Sequence, residues 1–228
     1  MPTKNTVKTY VENAYYHLYN RGVDKREIFL DEQDCKLFLH FLKIYLSPID
    51  NLQRQLLDTM PPQILFKMLN KNISKEVSLL SFALMPNHFH LQIKQISING
   101  IEKLMRRVLT SYVQYFNKKY NRIGPLFEST YKAVLVQTND QNLYLSSYIH
   151  RNPMKLTNPK FDFIQFSSYP YYLDRLHAVW LNVNEISSFF KTPKGNGELL
   201  SYQNFVEGFS DDLTQSLQDI LLEDSQEG

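Results

Sequence analysis

The hydrophobic and polar positions of this chain follow two different periods, and together these periods predict alternating strands and helices. Strands are indicated by alternation or by short apolar runs at residues 14–22, 77–86, 88–96 and 131–138. Helices are indicated by apolar residues three and four positions apart at residues 31–46, 100–120 and 139–153. The run at 77–86 is almost continuously apolar, which is typical of a strand that is buried on both faces.

The order of these elements predicts an α+β fold of the ferredoxin-like, or RRM-like, type. In that fold an antiparallel sheet carries helices on one face, and this chain adds one further helix after the last strand. Residues 47–75 begin with Ser-Pro and contain Pro61-Pro62, so we expect an insertion with one or two short helices there. We expect a domain over residues 1–156 and an acidic extension over 157–228 that is mostly helical or irregular. The fold alone does not identify the function, because it supports many activities.

Charge is unevenly distributed along the chain, although the net charge is only +2. Residues 101–160 contain ten Lys and Arg against three Asp and Glu, which gives +7. Residues 161–228 contain three against eleven, which gives −8. A basic central segment indicates a polyanionic partner, and the acidic end indicates a solvating or regulatory role. Ordinary variation of surface charge is the alternative explanation.

The composition narrows the class of protein without identifying an activity. Fifteen Tyr and fifteen Phe can serve a core or a surface on which bases stack. The single cysteine, Cys35, excludes an intrachain disulfide and a cysteine-rich zinc site, which suits a reducing cytosol. No apolar run approaches the roughly 20 residues that cross a bilayer, and the first residues do not resemble a signal peptide. We therefore expect a cytoplasmic protein with no membrane partner.

A pair of histidines, His88 and His90, lies at alternate positions of the third predicted strand. Side chains at i and i+2 of a strand point to the same face, so the two imidazoles project together while Phe89 faces the other way. Two imidazoles in this arrangement can hold one divalent cation and leave positions open for oxygen ligands and substrate. The alternative is that they are partly exposed strand residues without a metal.

The last predicted helix carries Tyr144, Tyr148 and Asn152 at intervals of four, so these residues share one helix face. A phenol can attack a phosphodiester and retain the 5′ phosphate covalently, which conserves the bond for rejoining. Asn152, one turn after Tyr148, could provide an amide oxygen to a metal. In a chain this rich in tyrosine, the alternative is that both tyrosines are core aromatics.

Four segments resemble a known family in order and spacing. MPNHFHL (85–91) resembles the histidine–hydrophobic–histidine motif of the HUH endonucleases, with the Met-Pro-Asn lead-in of the REP-associated tyrosine transposases. YYHLYNRGVDKREIFLDEQD (15–34) is similar to the opening strand and Asn-Arg-Gly turn of that branch. SYVQYFNKKYNRIGPLFESTYKAVLV (111–136) resembles its helix, Arg-x-Gly-x-Leu-Phe loop and following strand. SYIHRNPMKL (147–156) resembles its nucleophile helix. The chain thus resembles the single-tyrosine HUH transposases.

The resemblance implies a role for individual residues. His88 and His90 take the metal-ligand positions, and Asn152 takes the position of a third polar ligand. Tyr148 takes the position of the nucleophile; Tyr144 remains the alternative nucleophile, because it shares the helix face. The common Leu-Phe-Gln-x-Arg segment of the family reads LFEST at residues 126–130, which puts the usual DNA contacts of that loop in doubt.

The resemblance also implies a substrate. The expected activity is that of a metal-dependent transposase and endonuclease using Mg²⁺ or Mn²⁺. It would cleave and rejoin single-stranded DNA that carries a hairpin, through a 5′-phosphotyrosine intermediate. We expect a monomer or homodimer, associated with the nucleoid in a bacterial-type cytoplasm. DNA contacts are expected from Asn20, Arg21, Lys103, Arg106, Arg107, Lys118, Lys119, Arg122, Lys132 and Arg151.

Two other classes of function remain open from the residues. One is a non-catalytic module that binds single-stranded nucleic acid, including a domesticated transposase relative, since RNA-recognition domains share this architecture. The aromatic signature of those domains is not evident, and such a module does not need paired histidines facing a tyrosine helix. The other is a small-molecule metal hydrolase, for which the sequence offers no good water-activating base near the histidines.

Overall fold

The computed structural model describes residues 10–56, 61–157, 159–190 and 201–208. Its strands are β1 (Tyr15–Arg21), β2 (Val77–Met85), β3 (His88–Gln95) and β4 (Lys132–Val136). Its helices are α1 (Glu32–Leu46), α2 (Ile49–Leu56), α3 (Pro62–Leu69), α4 (Gly100–Lys119), α5 (Asn139–Arg151), α6 (Tyr169–Tyr172), α7 (Asn184–Ser187) and α8 (Tyr202–Glu207). The strands form an antiparallel sheet in the order β2-β3-β1-β4. This connectivity confirms the predicted ferredoxin-like α+β fold.

One face of the sheet holds the main hydrophobic core. The alternation of β3 directs Phe89, Leu91 and Ile93 to this face, where all three are fully buried. Helices α1 and α4 cover it, because each has an apolar stripe at helical spacing. Buried residues of the two stripes include Phe38, Leu42, Leu104, Val108, Tyr112 and Phe116. Tyr115, which is also on α4, is half-buried at the margin of this apolar stripe.

Helix α5 packs on the other face of the sheet. Its residues Leu145, Tyr148 and Ile149 form a small apolar cluster with Ala83 of β2 and Val136 of β4. A helix on each face explains why β2 is buried along almost its whole length, as its continuous apolar run predicts. The additional helix is therefore positioned directly above the polar residues of β1 and β3.

The start of α5 is defined by Thr138, one residue before the predicted helix of residues 139–153 begins. The Thr138 hydroxyl accepts a hydrogen bond from the Gln141 backbone N–H at 3.1 Å. The Gln141 side chain in turn accepts one from the Thr138 N–H at 3.3 Å. This reciprocal pair satisfies two N–H groups that a helix start leaves without partners, and Asn139 becomes the first helical residue.

The residues after position 156 pack against the outer edge of β2. Ser167 forms a bridge with Ala83, and Leu181 forms one with Leu79. The Trp180 ring stacks on Phe82, with ring centroids 5.5 Å apart. The amphipathic pattern at 180–190 gives only the short helix α7 and one 3₁₀ turn, Ser188–Phe190. Residues 209–228, which hold much of the predicted acidic end, lie outside the described residues.

Within residues 10–56, 61–157, 159–190 and 201–208, no helix is both long enough and apolar enough to cross a bilayer.

Candidate active site

The pairing of β1 with β3 collects polar side chains on the face beneath α5. In this antiparallel pair Arg21 lies opposite His88, Tyr19 opposite His90, and His17 opposite Gln92. Directly opposed residues project to the same face, so these six side chains form one patch. We call this patch the site face. As predicted, His88 and His90 project to one face of β3 and Phe89 projects to the other.

His90 is fully buried at the centre of the site face, and one of its ring nitrogens is held by His17. The distance from His90 Nδ1 to His17 Nε2 is 2.9 Å. The rings are stacked, with centroids 5.1 Å apart. The other nitrogen, His90 Nε2, is buried and has no hydrogen-bond partner. A buried imidazole nitrogen without a partner is costly, which suits a position built to receive a ligand.

His88 is oriented by its neighbour in the turn that precedes β3. Its Nδ1 lies 2.6 Å from Asn87 Oδ1, and the Asn87 Nδ2 donates to the Lys25 carbonyl at 3.2 Å. Since an amide oxygen can only accept, the proton of a neutral His88 resides on Nδ1. The Nε2 lone pair is then available as a ligand, in the tautomer that metal-binding histidines adopt when Nδ1 donates to a nearby oxygen.

Both histidines are held in the neutral form. Burial, reinforced by the charge of Arg21, lowers the pKa of His88 to about 3. Burial also lowers the pKa of His90 well below its usual range, with further contributions from His88, His17 and Arg21. Metal ligation requires the neutral imidazole, so both rings are in the protonation state that a metal ligand would need.

Helix α5 brings Tyr148 to the histidines. The Tyr148 ring meets the His90 ring edge-on at a centroid distance of 5.6 Å and the His17 ring at 6.2 Å. Tyr144, one turn earlier, is half-buried and stacks on Phe205 of α8 at 5.9 Å. The two candidate nucleophiles therefore have different surroundings, and Tyr148 is the one in contact with the site face.

The height of α5 above the sheet is fixed by Gln92. Its Nε2 donates to both the backbone oxygen and the side-chain oxygen of Asn142, each at 2.7 Å. Its Oε1 accepts from the Ser81 hydroxyl, also at 2.7 Å. All three residues are buried, so these bonds are shielded from water and hold the helix firmly.

Buried polar atoms without partners concentrate on the site face and α5. Four of the five such atoms among the described residues are His90 Nε2, Arg21 Nε, Asn152 Nδ2 and Ser147 Oγ; the fifth is Ser47 Oγ, at the end of α1. Asn152 is the C-terminal cap of α5, and its backbone N–H donates to the Tyr148 carbonyl at 3.2 Å. Most buried polar groups in proteins are paired, so this concentration is typical of a site that completes its bonds with a ligand.

The donor set fits a divalent cation only in part. In the described part of the chain, no group of three His, Cys, Asp or Glu side chains is placed to hold a metal ion. His88 and His90 present two nitrogen lone pairs, and further ligands would have to come from an amide such as that of Asn152 or from the substrate. Two imidazoles with open positions suit a catalytic cation that is also coordinated by phosphate oxygens.

The residues expected to contact DNA lie in several different environments. Arg21 and Lys132 share the site face; the Lys132 ammonium lies 5.3 Å from the centre of the Tyr19 ring and 3.6 Å from a Glu128 oxygen. Asn20 is buried and donates to the carbonyl oxygens of residues 129 and 130, at 2.9 and 3.1 Å. It thus supports the loop before β4. Arg151 lies half-buried at the end of α5.

The basic residues of α4 and its end lie on the covered face of the sheet, opposite the site face. Several are already engaged with protein groups: Lys103 with Glu76, Arg107 with the Lys71 carbonyl, Lys119 with Asp31 and Asp34, and Arg122 with Asn117. Arg106 and Lys118 are exposed. The DNA-contacting role of all six stays a prediction, and the fold separates them from Tyr148 by the thickness of the sheet.

Three residues of the site face, His17, Tyr19 and Gln92, were not predicted from the sequence. His17 and Gln92 support His90 and α5, yet neither belongs to the histidine pair or the tyrosine helix. A signal was present in the alternation, since His17 is two residues before Tyr19 and Gln92 two residues after His90. Both therefore had to point to the face of the histidines once the two strands were paired.

Comparisons with known proteins identify a family and a solved structure to which parts of the chain are similar. Residues 51–152 match the model of the family described as "Transposase IS200 like". No curated protein matches the chain. A solved structure described as "Structure of the REP associates tyrosine transposase bound to a REP hairpin" is 13% identical with a TM-score of 0.48, over 87% of this chain and 99% of that chain. The matched residues run from the insertion through β2, β3, α4 and β4 to the end of α5, so this part of the chain is similar to the IS200-like transposases.

Proposed function

We propose that this protein cleaves and rejoins single-stranded DNA beside a hairpin, with Tyr148 as the nucleophile. One observation carries the proposal: the Tyr148 ring packs against His90, whose Nε2 is buried without a partner. A nucleophile-bearing helix above an incomplete ligand site is the arrangement that covalent phosphoryl transfer requires. The Met-Pro-Asn-His-Phe-His run at residues 85–90 favours the REP-associated branch of the family.

The chemistry at Tyr148 is a phosphoryl transfer without net loss of a bond. The phenolic oxygen attacks the scissile phosphorus, the Oη–P bond forms, and the P–O3′ bond breaks. The phenol loses its proton, and the departing 3′ oxygen gains one. The DNA is left with a free 3′ hydroxyl and a 5′ phosphate esterified to Tyr148. Attack by a 3′ hydroxyl on this ester reverses the step and rejoins a strand.

His88, His90 and Asn152 would hold the divalent cation, Mg²⁺ or Mn²⁺. When bound there, it would polarise the scissile phosphate and stabilise the negative charge that develops on its oxygens. The chain's own contribution is to keep both imidazoles neutral and oriented. His17 supports His90 and Asn87 supports His88, so both ligand nitrogens are prepared before the substrate arrives.

Electrostatics of the site face favour a polyanion. Arg21 lies opposite His88, and its Nε is buried without a partner. Lys132 extends over Tyr19 on the same face. A phosphate oxygen could complete the hydrogen bonds of the Arg21 guanidinium, which binds phosphates in a forked geometry.

The test is adduct formation by the full chain with a radiolabelled hairpin oligonucleotide carrying single-stranded flanks, with Mg²⁺ or Mn²⁺ present. We expect a covalent protein–DNA species that resists denaturation and maps by mass spectrometry to Tyr148. The Tyr148→Phe variant, which keeps the ring, should form none. The matched control is Tyr144→Phe, which should retain adduct formation. An adduct formed by Tyr148→Phe would contradict the nucleophile assignment.

The second candidate is a non-catalytic module that binds single-stranded nucleic acid, such as a domesticated relative. Its support is the ferredoxin-like sheet, an architecture shared with RNA-recognition domains. The same oligonucleotide experiment separates the two functions. Hairpin binding by the folded wild-type protein, without nicking or adduct under either cation, would favour the binding module.

A further inference from the structure

A buried chain of hydrogen bonds connects the nucleophile helix with the C-terminal part of the molecule. Its centre is His150, which is fully buried on α5 two residues after Tyr148. His150 Nε2 lies 2.5 Å from the Ser168 hydroxyl, and His150 Nδ1 lies 2.7 Å from the Tyr202 hydroxyl. Both nitrogens of this ring are therefore engaged by residues beyond position 156, and neither faces the site.

The directions of these bonds follow from the neighbouring groups. Tyr202 donates to the Ser146 hydroxyl at 3.0 Å, and Ser146 donates to the Leu143 carbonyl at 2.6 Å. With its proton used in this way, the Tyr202 oxygen accepts from His150 Nδ1–H. His150 Nε2 is then left as an acceptor for the Ser168 hydroxyl, whose proton also lies within reach of the Phe82 carbonyl oxygen at 3.2 Å and whose oxygen accepts from the Phe82 backbone N–H at 2.8 Å. Every member has a partner, as a buried polar network requires.

The network clamps α5 from both sides. Ser168 is tied to β2 through Phe82, so this end connects α5 to the sheet. Tyr202 belongs to α8, so the other end connects α5 to the C-terminal helix. Phe205 of α8 also stacks on Tyr144, one turn before the nucleophile. Helix α8 therefore touches α5 on the two turns that flank Tyr148.

We propose that α8 is a positioning element for the catalytic tyrosine, and that the Tyr202–His150 hydrogen bond sets the rotation of α5 above the site face. The inference rests on the proposed function of Tyr148. Apolar packing can hold a helix near a sheet, but small rotations of the helix about its axis then cost little free energy. Because hydrogen bonds are directional, a bond at each nitrogen of the buried His150 ring restricts these rotations. A rotation of α5 would move Tyr148 relative to His90 without disturbing the DNA-binding residues Arg21 and Lys132.

The test compares two buried tyrosines of the same cluster. Tyr202→Phe removes the hydroxyl that bonds His150. Tyr172→Phe is the matched control, because Tyr172 is equally buried and its ring also touches His150, at 5.0 Å between centroids. The Tyr172 hydroxyl, however, donates to the Leu80 carbonyl of β2 rather than to α5. Tyr202→Phe loses two buried hydrogen bonds and Tyr172→Phe loses one, so the control reports the loss of a buried tyrosine hydroxyl that does not bond α5.

The first readout is the rate of adduct formation in a single turnover at saturating hairpin DNA, measured beside the hairpin Kd. For Tyr202→Phe we expect a rate about 10- to 100-fold lower, with the Kd within about twofold, because misplacing a reactive group affects the chemical step. Tyr172→Phe should keep both values near wild type. Equal rates in the two variants, or a Kd that rises as much as the rate falls, would overturn the proposal.

The second readout does not depend on catalysis. Amide hydrogen exchange over residues 145–152 should accelerate in Tyr202→Phe and not in Tyr172→Phe. If wild-type protein forms no adduct, the proposed function fails, while exchange still decides whether α8 holds α5. Equal exchange in the two variants would overturn the coupling itself. Should Tyr202→Phe not fold, Ser146→Ala, which removes the next acceptor in the network, takes its place with the same outcomes.

Discussion

His17 Nε2 lies 2.9 Å from His90 Nδ1, so a histidine of β1 supports a histidine of β3 across the strand pair. The bond fixes which nitrogen of His90 is available on the site face. It also gives the proposed ligand a partner that keeps its ring from rotating. Partners of this kind, one shell removed from a metal, are a general feature of histidine metal sites.

Replacing this partner should weaken cation binding. In His17→Leu, His90 loses its hydrogen bond and its fixed tautomer, so we expect the affinity for Mn²⁺ to fall about 10- to 100-fold. Isothermal titration of the protein without DNA measures this directly. His177→Ala, which removes an exposed imidazole beside α6, is the control and should bind Mn²⁺ as wild type does. Unchanged affinity in His17→Leu would show that His90 does not need this support.

Removing both proposed ligands should abolish cleavage. The double variant His88→Ala/His90→Ala has no imidazole left on this part of β3, so we expect no adduct with Mg²⁺ or Mn²⁺. Hairpin binding should persist within a few fold, because Arg21 and Lys132 remain. His40→Ala/His177→Ala removes the same number of rings from exposed positions and should cleave normally. Cleavage by the first double variant would exclude these histidines as the metal site.

Arg21 should contribute to DNA affinity through one phosphate. Arg21→Ala should weaken hairpin binding, with a loss of roughly 1–3 kcal/mol in binding free energy. The plot of log K against log salt should also become less steep, by about 1. Fluorescence anisotropy at several salt concentrations gives both values. Lys36→Ala, an exposed charge on α1, serves as the reference for a general loss of one positive charge. An identical effect in the two variants would remove Arg21 from the DNA interface.

The neutral histidines should make the fold sensitive to moderate acid. The pKa values of His88 and His150 are lowered to about 3 and that of His90 lies well below its usual range, whereas the unfolded chain titrates near 6.5. Between pH 6.5 and 4 the unfolded state therefore binds more protons, and the free energy of unfolding falls as the pH falls. Each such group contributes up to about 1.4 kcal/mol per pH unit in this window.

Urea unfolding at a series of pH values measures this dependence. The variant His88→Gln/His90→Gln should show a shallower loss of stability between pH 6.5 and 4 than the wild type, because two of the shifted groups are gone. Above pH 6.5 the stabilities of both proteins should be nearly independent of these groups. Parallel curves below pH 6.5 would mean that the two imidazoles are not held neutral by the fold.

The sequence predicted the elements of the fold and which side chains share a face, because both depend on local periodicity. Alternation in β3 placed His88 and His90 on one face, and helical spacing placed Tyr144, Tyr148 and Asn152 on one side of a helix. The choice of Tyr148 over Tyr144 came from the family resemblance and stays a prediction. The contact between His17 and His90 depends on the register of β1 against β3, which spans more than seventy positions of the chain. No local pattern encodes that register, so this partner became visible only with the sheet assembled.

The C-terminal part of the chain escaped prediction for a related reason. Ser168 precedes the short helix α6 and Tyr202 begins the short helix α8, and neither lies in a pattern that marks it, because their roles depend on where His150 is buried. The basic residues of α4 also depend on the assembled fold for their position. The sequence suggested that they contact phosphates, which stays a prediction, and the apolar stripe of α4 directs the helix to the face of the sheet opposite Tyr148. Burial of that stripe, and not charge, decided where they lie.

The bridges that Ser167 and Leu181 make with β2 also limit how this sheet can grow. They occupy the outer side of β2, so a strand from another molecule cannot add there without displacing them. In the residues that the structure describes, β4 pairs with β1 and no strand lies beyond it. A second copy that added a strand at the β4 edge would place its sheet beside Lys132 and the loop that Asn20 supports.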